Sequence, residues 1–182
     1  LTNETIPLRA RHVINSAGLH ATQLASRIEG LDATHTPQMH LAKGHYFEYN
    51  GKSPFKHLIY PVPVDGGLGV HVTLDMAGRM KFGPDVEWVT EINYETSAER
   101  AISFYPSIRR YWPTLPDNSL DPAYTGMRPK LSGPGEAAAD FYIQDVNTHQ
   151  VPGLICLYGI ESPGLTASLA LAEEVVSLLD RS

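Results

Sequence analysis

The sequence predicts a mixed fold, α+β with α/β parts, in which an antiparallel sheet is inserted between two strand–turn–helix segments. Three observations carry this. Near the start, Arg11–Gly18 runs from a β-branched pair, Val13-Ile14, through small residues toward an apolar-faced helix. Near the end, Leu154–Tyr158 is an apolar run with the length of a buried strand, followed by a breaker-rich turn and a helix. Between them, residues 38–82 carry short aromatic and β-branched runs separated by Asn-Gly and Gly-Gly turn signals. Strand–helix units that bracket a set of short strands are the pattern of a sheet inserted into an α/β frame.

The elements follow in order. Ala21, Leu24, Ala25 and Ile28 share one helical face, and Gly30 is a plausible C-terminal stop. Gln38–Tyr49 reads as a strand with Gly44 at a bulge or a close approach. Leu58–Val62, Leu68–Leu74 and Arg79–Phe82 read as three more strands, with turns at Asp65-Gly66-Gly67 and Met76-Ala77-Gly78. Thr96-Ser97-Ala98-Glu99 has the capping-box form with Thr96 as N-cap. The helix it opens places Ala98, Ala101, Ile102 and Tyr105 on a buried stripe, and Pro106 ends or kinks it. Pro129 pushes Arg128 toward an extended backbone, and Phe141–Val146 is a short strand. In the closing helix, Leu165, Leu169, Ala172, Val176 and Leu179 step along one face. Leu171, Val175 and Leu178 widen that face, which predicts deep burial.

Composition bounds the function. A chain of 182 residues with 42% hydrophobic and 19% charged content is globular and makes one good-sized domain or two small ones. A net charge of −6 argues against nucleic acid as a partner. One cysteine, Cys156, excludes a disulfide within the chain, and no metal site is expected. No run reaches the roughly 20 apolar residues of a membrane span, and no signal peptide is visible. A cytoplasmic chain is the expectation, with membrane association left open. The chain begins at Leu1 without methionine, which fits a fragment or a mature end.

Three residues could carry chemistry. Arg128 lies between Gly126 and Pro129, and a guanidinium held there can grip a carboxylate through two parallel bonds or serve a structural ion pair. His71 alternates with Val70 and Val72 and so points to the opposite face of its strand; lining a cleft, it would accept a proton near neutral pH. His45, after Gly44, is a second candidate. For both histidines a satisfied structural role stands as the alternative. Ala17 and Gly18 permit close approach of a ligand or of another backbone. No Gly-x-Gly-x-x-Gly, P-loop, Gly-x-Ser-x-Gly or His-Glu-x-x-His occurs.

These segments resemble a known family. Val13-Ile14-Asn15-Ser16-Ala17-Gly18, and Gly126-Met127-Arg128-Pro129, resemble elements of the D-amino-acid oxidase superfamily of FAD-dependent oxidoreductases. Lys43-Gly44-His45-Tyr46, Leu58–Pro63, Gly69–Thr73 and Ser162–Ser168 resemble its L-2-hydroxyglutarate oxidase/dehydrogenase branch. The resemblance implies a Rossmann-like FAD-binding domain in two parts, 1–36 and 125–182, around an antiparallel-sheet substrate domain, 37–124. It implies an FAD flavoprotein oxidising a small 2-hydroxy or 2-amino acid, with oxygen or a membrane quinone as acceptor and the oligomeric state left open. Arg128 would hold the carboxylate, and His71, helped by His45 or Tyr60, would take the hydroxyl proton. Asn15, Ala17, Gly18, Ser162, Gly164, Leu165 and Thr166 would lie against the cofactor. The family's N-terminal strand, its Gly-x-Gly-x-x-Gly turn and its acidic ribose-binding residue have no counterpart here. The chain therefore looks like the C-terminal half of a roughly double-length enzyme. The alternative is a non-catalytic fragment or small-acid binding module that holds no flavin.

Overall fold

The computed structural model describes residues 6–62 and 69–179. In chain order come β1 (Val13–Asn15), α1 (Ala21–Ala25), β2 (His40–Tyr49), β3 (His71–Leu74), β4 (Met80–Gly83), β5 (Glu87–Val89) and α2 (Phe104–Arg109). They are followed by β6 (Leu120–Lys130), β7 (Tyr142–Gln144), α3 (Val146–His149), β8 (Leu154–Tyr158) and α4 (Ser168–Leu179). The described residues form two compact units. The first takes residues 6–39, 129–132 and 138–179, and the second takes the rest. The expected turn at Asp65-Gly66-Gly67 and the start of the expected Leu68–Leu74 strand lie outside the described residues.

The first unit is built on a three-stranded sheet in the order β1-β8-β7. β1 runs parallel to β8, with Asn15 opposite Cys156, and β7 is antiparallel to β8, with Gln144 opposite Cys156. Every residue of β8 is buried, as its apolar run requires. Ala21 and Ala25 of α1 pack on Leu154, Cys156 and Tyr158, with Leu131 and Val151 at the margin. The chain turns sharply at Gly159, where φ is +68° and an added Cβ would lie 2.7 Å from Leu131 Cγ. Glycine is required there on both counts.

The closing helix departs from expectation. It begins at Ser168 rather than Leu165, because residues 162–167 are occupied by the turn. It has no buried residue, and Leu165, Leu169 and Val176 are 91%, 79% and 56% exposed. A 3.6-residue apolar period shows which face would be buried, but not that the described residues supply a partner for it.

The second unit is an antiparallel sheet. β4 lies between β3 and β2, β5 follows β4 along β2, and β6 also pairs with β2. Phe47, Val72, Met80 and Phe82 form one face and pack against Ala101, Phe104 and Ile108 of the helical segment 98–109. Phe47 meets Phe104 edge-on at 4.7 Å, and Trp112 closes the end of the core against Tyr49, Phe55 and Phe82. Of the expected Leu58–Val62 strand only a bridge between Ile59 and Val72 forms; Pro61 has no N–H to extend the ladder. The Met76-Ala77-Gly78 turn forms as expected, with Asp75 Oδ1 accepting from the N–H groups of Ala77 and Arg79.

Two helix expectations are corrected. The N-cap at the start of segment 98–109 is Ser97, whose hydroxyl accepts from Glu99 N–H, so Thr96 is freed for another bond described below. Ile102 is 72% exposed, and the buried positions are Ala101, Phe104 and Ile108. The 98–103 stretch is a 3-10 helix, which rotates the stripe away from the α-helical period. Pro106 neither ends nor kinks α2, because it sits in the first turn, where its missing N–H has no intrahelical partner to lose.

Phe104 joins the helix to the sheet face. Phe104→Ala should destabilise the protein by about 3–5 kcal/mol, read as a lower denaturation midpoint in urea with an unchanged slope.

Candidate active site

In β3 and β4, Val72 and Phe82 point into the core, so the alternating positions His71, Thr73, Lys81 and Gly83 point to the other face. Gly83 stands opposite His71, and an added Cβ at Gly83 would lie 2.8 Å from the Tyr46 ring. Tyr46 is therefore on this open face, and the Tyr124 ring stacks on it at 4.3 Å. Alternation along β6 then puts Gly126 and Arg128 on the same face as Tyr124. An added Cβ at Gly126 would meet nothing within 4 Å, so the floor between Tyr124 and Arg128 is bare. Tyr60 lies flat on the His71 ring at 4.4 Å, so it shields the imidazole rather than hydrogen-bonding to it. The open face thus carries His71, Tyr60, Arg128, Tyr46, Tyr124 and Lys81 around a glycine floor.

His71 is only 7% exposed and its Nδ1 has no hydrogen-bond partner among the described residues. Burial pushes its pKa below the ordinary histidine value. The nearby Arg128 charge lowers it further, against a hydrogen bond with the Gly69 backbone that raises it. The imidazole is therefore neutral at pH 7, and in the Nε2–H tautomer its Nδ1 is a lone pair ready to accept a proton. A cation within electrostatic reach of a neutral base is an arrangement suited to an anionic substrate that must lose a proton.

His45 is placed differently. It shares the parity of Phe47 in β2 and so faces the helix-covered side of the sheet, opposite to His71. Its Nδ1 is 2.8 Å from Thr96 Oγ1 and its Nε2 is 2.7 Å from Glu87 Oε2. Arg100 bridges Asp85 and Glu87, Asp85 accepts from the His45 N–H, and Lys43 Nζ donates to the Glu95 carbonyl. The hydrogen bond from His45 holds the Glu87 carboxyl below the usual carboxylate range. Both ring nitrogens of His45 are engaged in this network, so the expected assistance to His71 gives way to a positioning role within the sheet.

In the first unit, Asn15 is fully buried. Its Nδ2 donates to the Ala21 carbonyl at 2.8 Å and its Oδ1 accepts from Ala17 N–H at 3.3 Å. It fixes the turn between β1 and α1 with its own side chain. Gly18 follows with φ +55° and no atom within 4 Å of an added Cβ, so the backbone is open on that side. The second turn, after β8, is tied by a Lys130–Glu161 ion pair at 2.6 Å. Gly164 is buried, and an added Cβ would strike the Glu161 carbonyl and Ile160 at 2.6 Å. Ser162, Leu165 and Thr166 are exposed on that turn. A buried histidine unexpected from sequence, His149, accepts from Val151 N–H at 3.2 Å through Nδ1, and its Nε2 has no hydrogen-bond partner among the described residues. Burial depresses its pKa, with Asp145 opposing and His35 reinforcing the shift.

Sequence reasoning missed Tyr46, Tyr124, Lys81 and Gly126. The signal for Tyr46 was present in the motif containing His45, one position along; the face of the strand was not. No group of three His, Cys, Asp or Glu side chains suits a metal among the described residues, and no helix among them is long and apolar enough to cross a membrane.

One unit carries a strand–turn–helix with an open glycine and the other an antiparallel sheet bearing a neutral histidine and an arginine; the family match assigns a chain with these two parts to the flavin-dependent oxidoreductases of the D-amino-acid oxidase class. A family model for FAD dependent oxidoreductases matches residues 2–178, and the chain belongs to that family, whose cofactor is FAD. It is 52% identical over 177 residues to the mitochondrial L-2-hydroxyglutarate dehydrogenase of Arabidopsis thaliana, covering 91% of this chain and 37% of that protein. It is 28% identical over 183 residues to a glycerol 3-phosphate oxidase of Mycoplasma pneumoniae, covering 98% of this chain and 45% of the relative. Among solved structures, the FAD-bound, dithionite-reduced L-alpha-glycerophosphate oxidase of Mycoplasma pneumoniae superposes with a TM-score of 0.78 at 24% identity. That match covers 98% of this chain and 45% of the other. Glycine oxidase from Geobacillus kaustophilus superposes with a TM-score of 0.69 at 18% identity, covering 95% and 42%. The fold is shared with both, and the chain spans less than half the length of each of these relatives.

The two depressed histidines give a pH signature. Their folded-state pKa lies below the ordinary 6.5, so the unfolded chain binds more protons as pH falls through that value. Their contribution to stability is fully present above about pH 6.5 and is lost progressively below it, before the carboxylates titrate. The denaturation midpoint should be lower at pH 5.5 than at 7.5, and His149→Gln should reduce that difference.

Proposed function

We propose that this chain is the C-terminal, substrate-side portion of an FAD-dependent enzyme that oxidises a small 2-hydroxy acid. The relative that is 52% identical favours a 2-hydroxyglutarate-like dicarboxylate. The observation that carries the reading is the buried His71, with an unpartnered Nδ1 and Arg128 in electrostatic reach, on a face floored by glycine. Arg128 grips the substrate carboxylate and fixes the orientation of Cα. His71 Nδ1 accepts the hydroxyl proton as Cα loses its hydrogen as hydride, leaving the 2-oxo acid. Tyr60, stacked on the ring, keeps water from the imidazole face it covers.

The first unit offers groups that suit the cofactor. Gly18 presents backbone with open space beside it, and the turn from Ser162 to Thr166 presents exposed polar and backbone groups. Asn15 acts behind Gly18, and Gly164 inside its own turn, each by setting backbone shape. Bound FAD supplies the hydride-accepting chemistry.

The test is stopped-flow flavin reduction in the full-length enzyme. Arg128→Ala should raise the substrate dissociation constant about 10–100-fold, the scale of a lost charge-assisted pair. His71→Ala should slow reduction about 10²–10⁴-fold with little change in binding. Reduction at the wild-type rate in His71→Ala would remove that residue from the chemistry. A protein that takes up no flavin would leave the binding-module alternative in its place.

A further inference from the structure

Resting on the reading above, we propose that Lys81 is a specificity-determining residue that receives a second, distal carboxylate of the substrate. Lys81 is on the open face, since it stands opposite Thr73 in β3 and follows core-facing Met80 in β4. Its ammonium is held over the Tyr124 ring at 5.4 Å. No ion pair to Lys81 is formed among the described residues. Its cross-strand neighbour Glu48 lies 3.5 Å from Arg79, which also pairs with Asp75. That carboxylate therefore already has a cation, and Lys81 has charge to offer a ligand.

The spacing leaves room for a diacid. Arg128 and Tyr124 are four residues apart on β6, which is roughly 13 Å between Cα atoms. Gly126, midway between them, contributes no side chain and has open space above it. Arg128 and Lys81 stand toward the two ends of this bare stretch, and a five-carbon diacid lying over Gly126 would be met by both side chains turned inward. The stacked Tyr46–Tyr124 pair forms the wall at the lysine end. A mono-acid uses Arg128 alone, whereas a diacid uses both cations. The site thus discriminates by charge at its far end.

The experiment compares 2-hydroxyglutarate with 2-hydroxyvalerate, the mono-acid of equal chain length, as substrates of the full-length flavin-loaded enzyme. Wild type, Lys81→Met and Lys81→Arg are assayed, and glutarate and valerate are titrated as non-reacting ligands by calorimetry. Lys81→Met should collapse the preference for the diacid about 10–100-fold, through KM rather than kcat. It should weaken glutarate binding in parallel, and Lys81→Arg should recover most of both. A preference ratio and a glutarate affinity that stay at wild-type values in Lys81→Met overturn the assignment, as does an equal loss on both acids. Wild type that oxidises neither acid would instead overturn the proposed function itself.

Discussion

The second unit depends on the two-residue period of β2. Odd positions Lys43, His45 and Phe47 face the helical segment, where Phe47 enters the core, His45 joins a network with Glu87, Thr96, Asp85 and Arg100, and Lys43 donates to the Glu95 carbonyl. Even positions Ala42, Gly44 and Tyr46 face the other way. A slip of one residue would bury Tyr46 in the core and empty His45 into solvent, so the register is pinned by both faces at once. Gly83 completes the arrangement, because any side chain there would displace Tyr46 or collide with the His45 carbonyl at 2.5 Å.

In the first unit, the equivalent constraint is a side chain that acts as backbone. Asn15 bonds to the Ala21 carbonyl and the Ala17 amide, replacing groups that a tight strand-to-helix turn cannot pair by itself. The turn that results leaves Gly18 at positive φ with an open side. A residue type that resembles a ligand contact in the sequence thus serves as the frame for its neighbour, which makes the opening.

The architecture was legible because its signals are local: an apolar run at Leu154–Tyr158, small residues after Val13-Ile14, and turn residues such as Met76-Ala77-Gly78. His71 was legible for the same reason, since Val70 and Val72 on either side declare which way it points. What was hidden depended on partners distant in sequence. His45 carries no local mark that Thr96 and Glu87, more than forty residues on, will occupy both its nitrogens. Nor does Tyr124 announce its stacking on Tyr46. The capping box was misread by one position because Thr96 and Ser97 are chemically equivalent caps, and the bond from Thr96 to His45 decides between them. The closing helix shows the converse error, a correct apolar face from which burial does not follow.

Cys156 has a consequence of its own. It is the only thiol in the chain, it is completely buried at the centre of β8, and the Asn15 amide lies 3.9 Å from its sulfur. A thiol so enclosed reacts with an alkylating reagent only when the strand pair around it parts. The rate of its modification is therefore a clock for opening of the first unit.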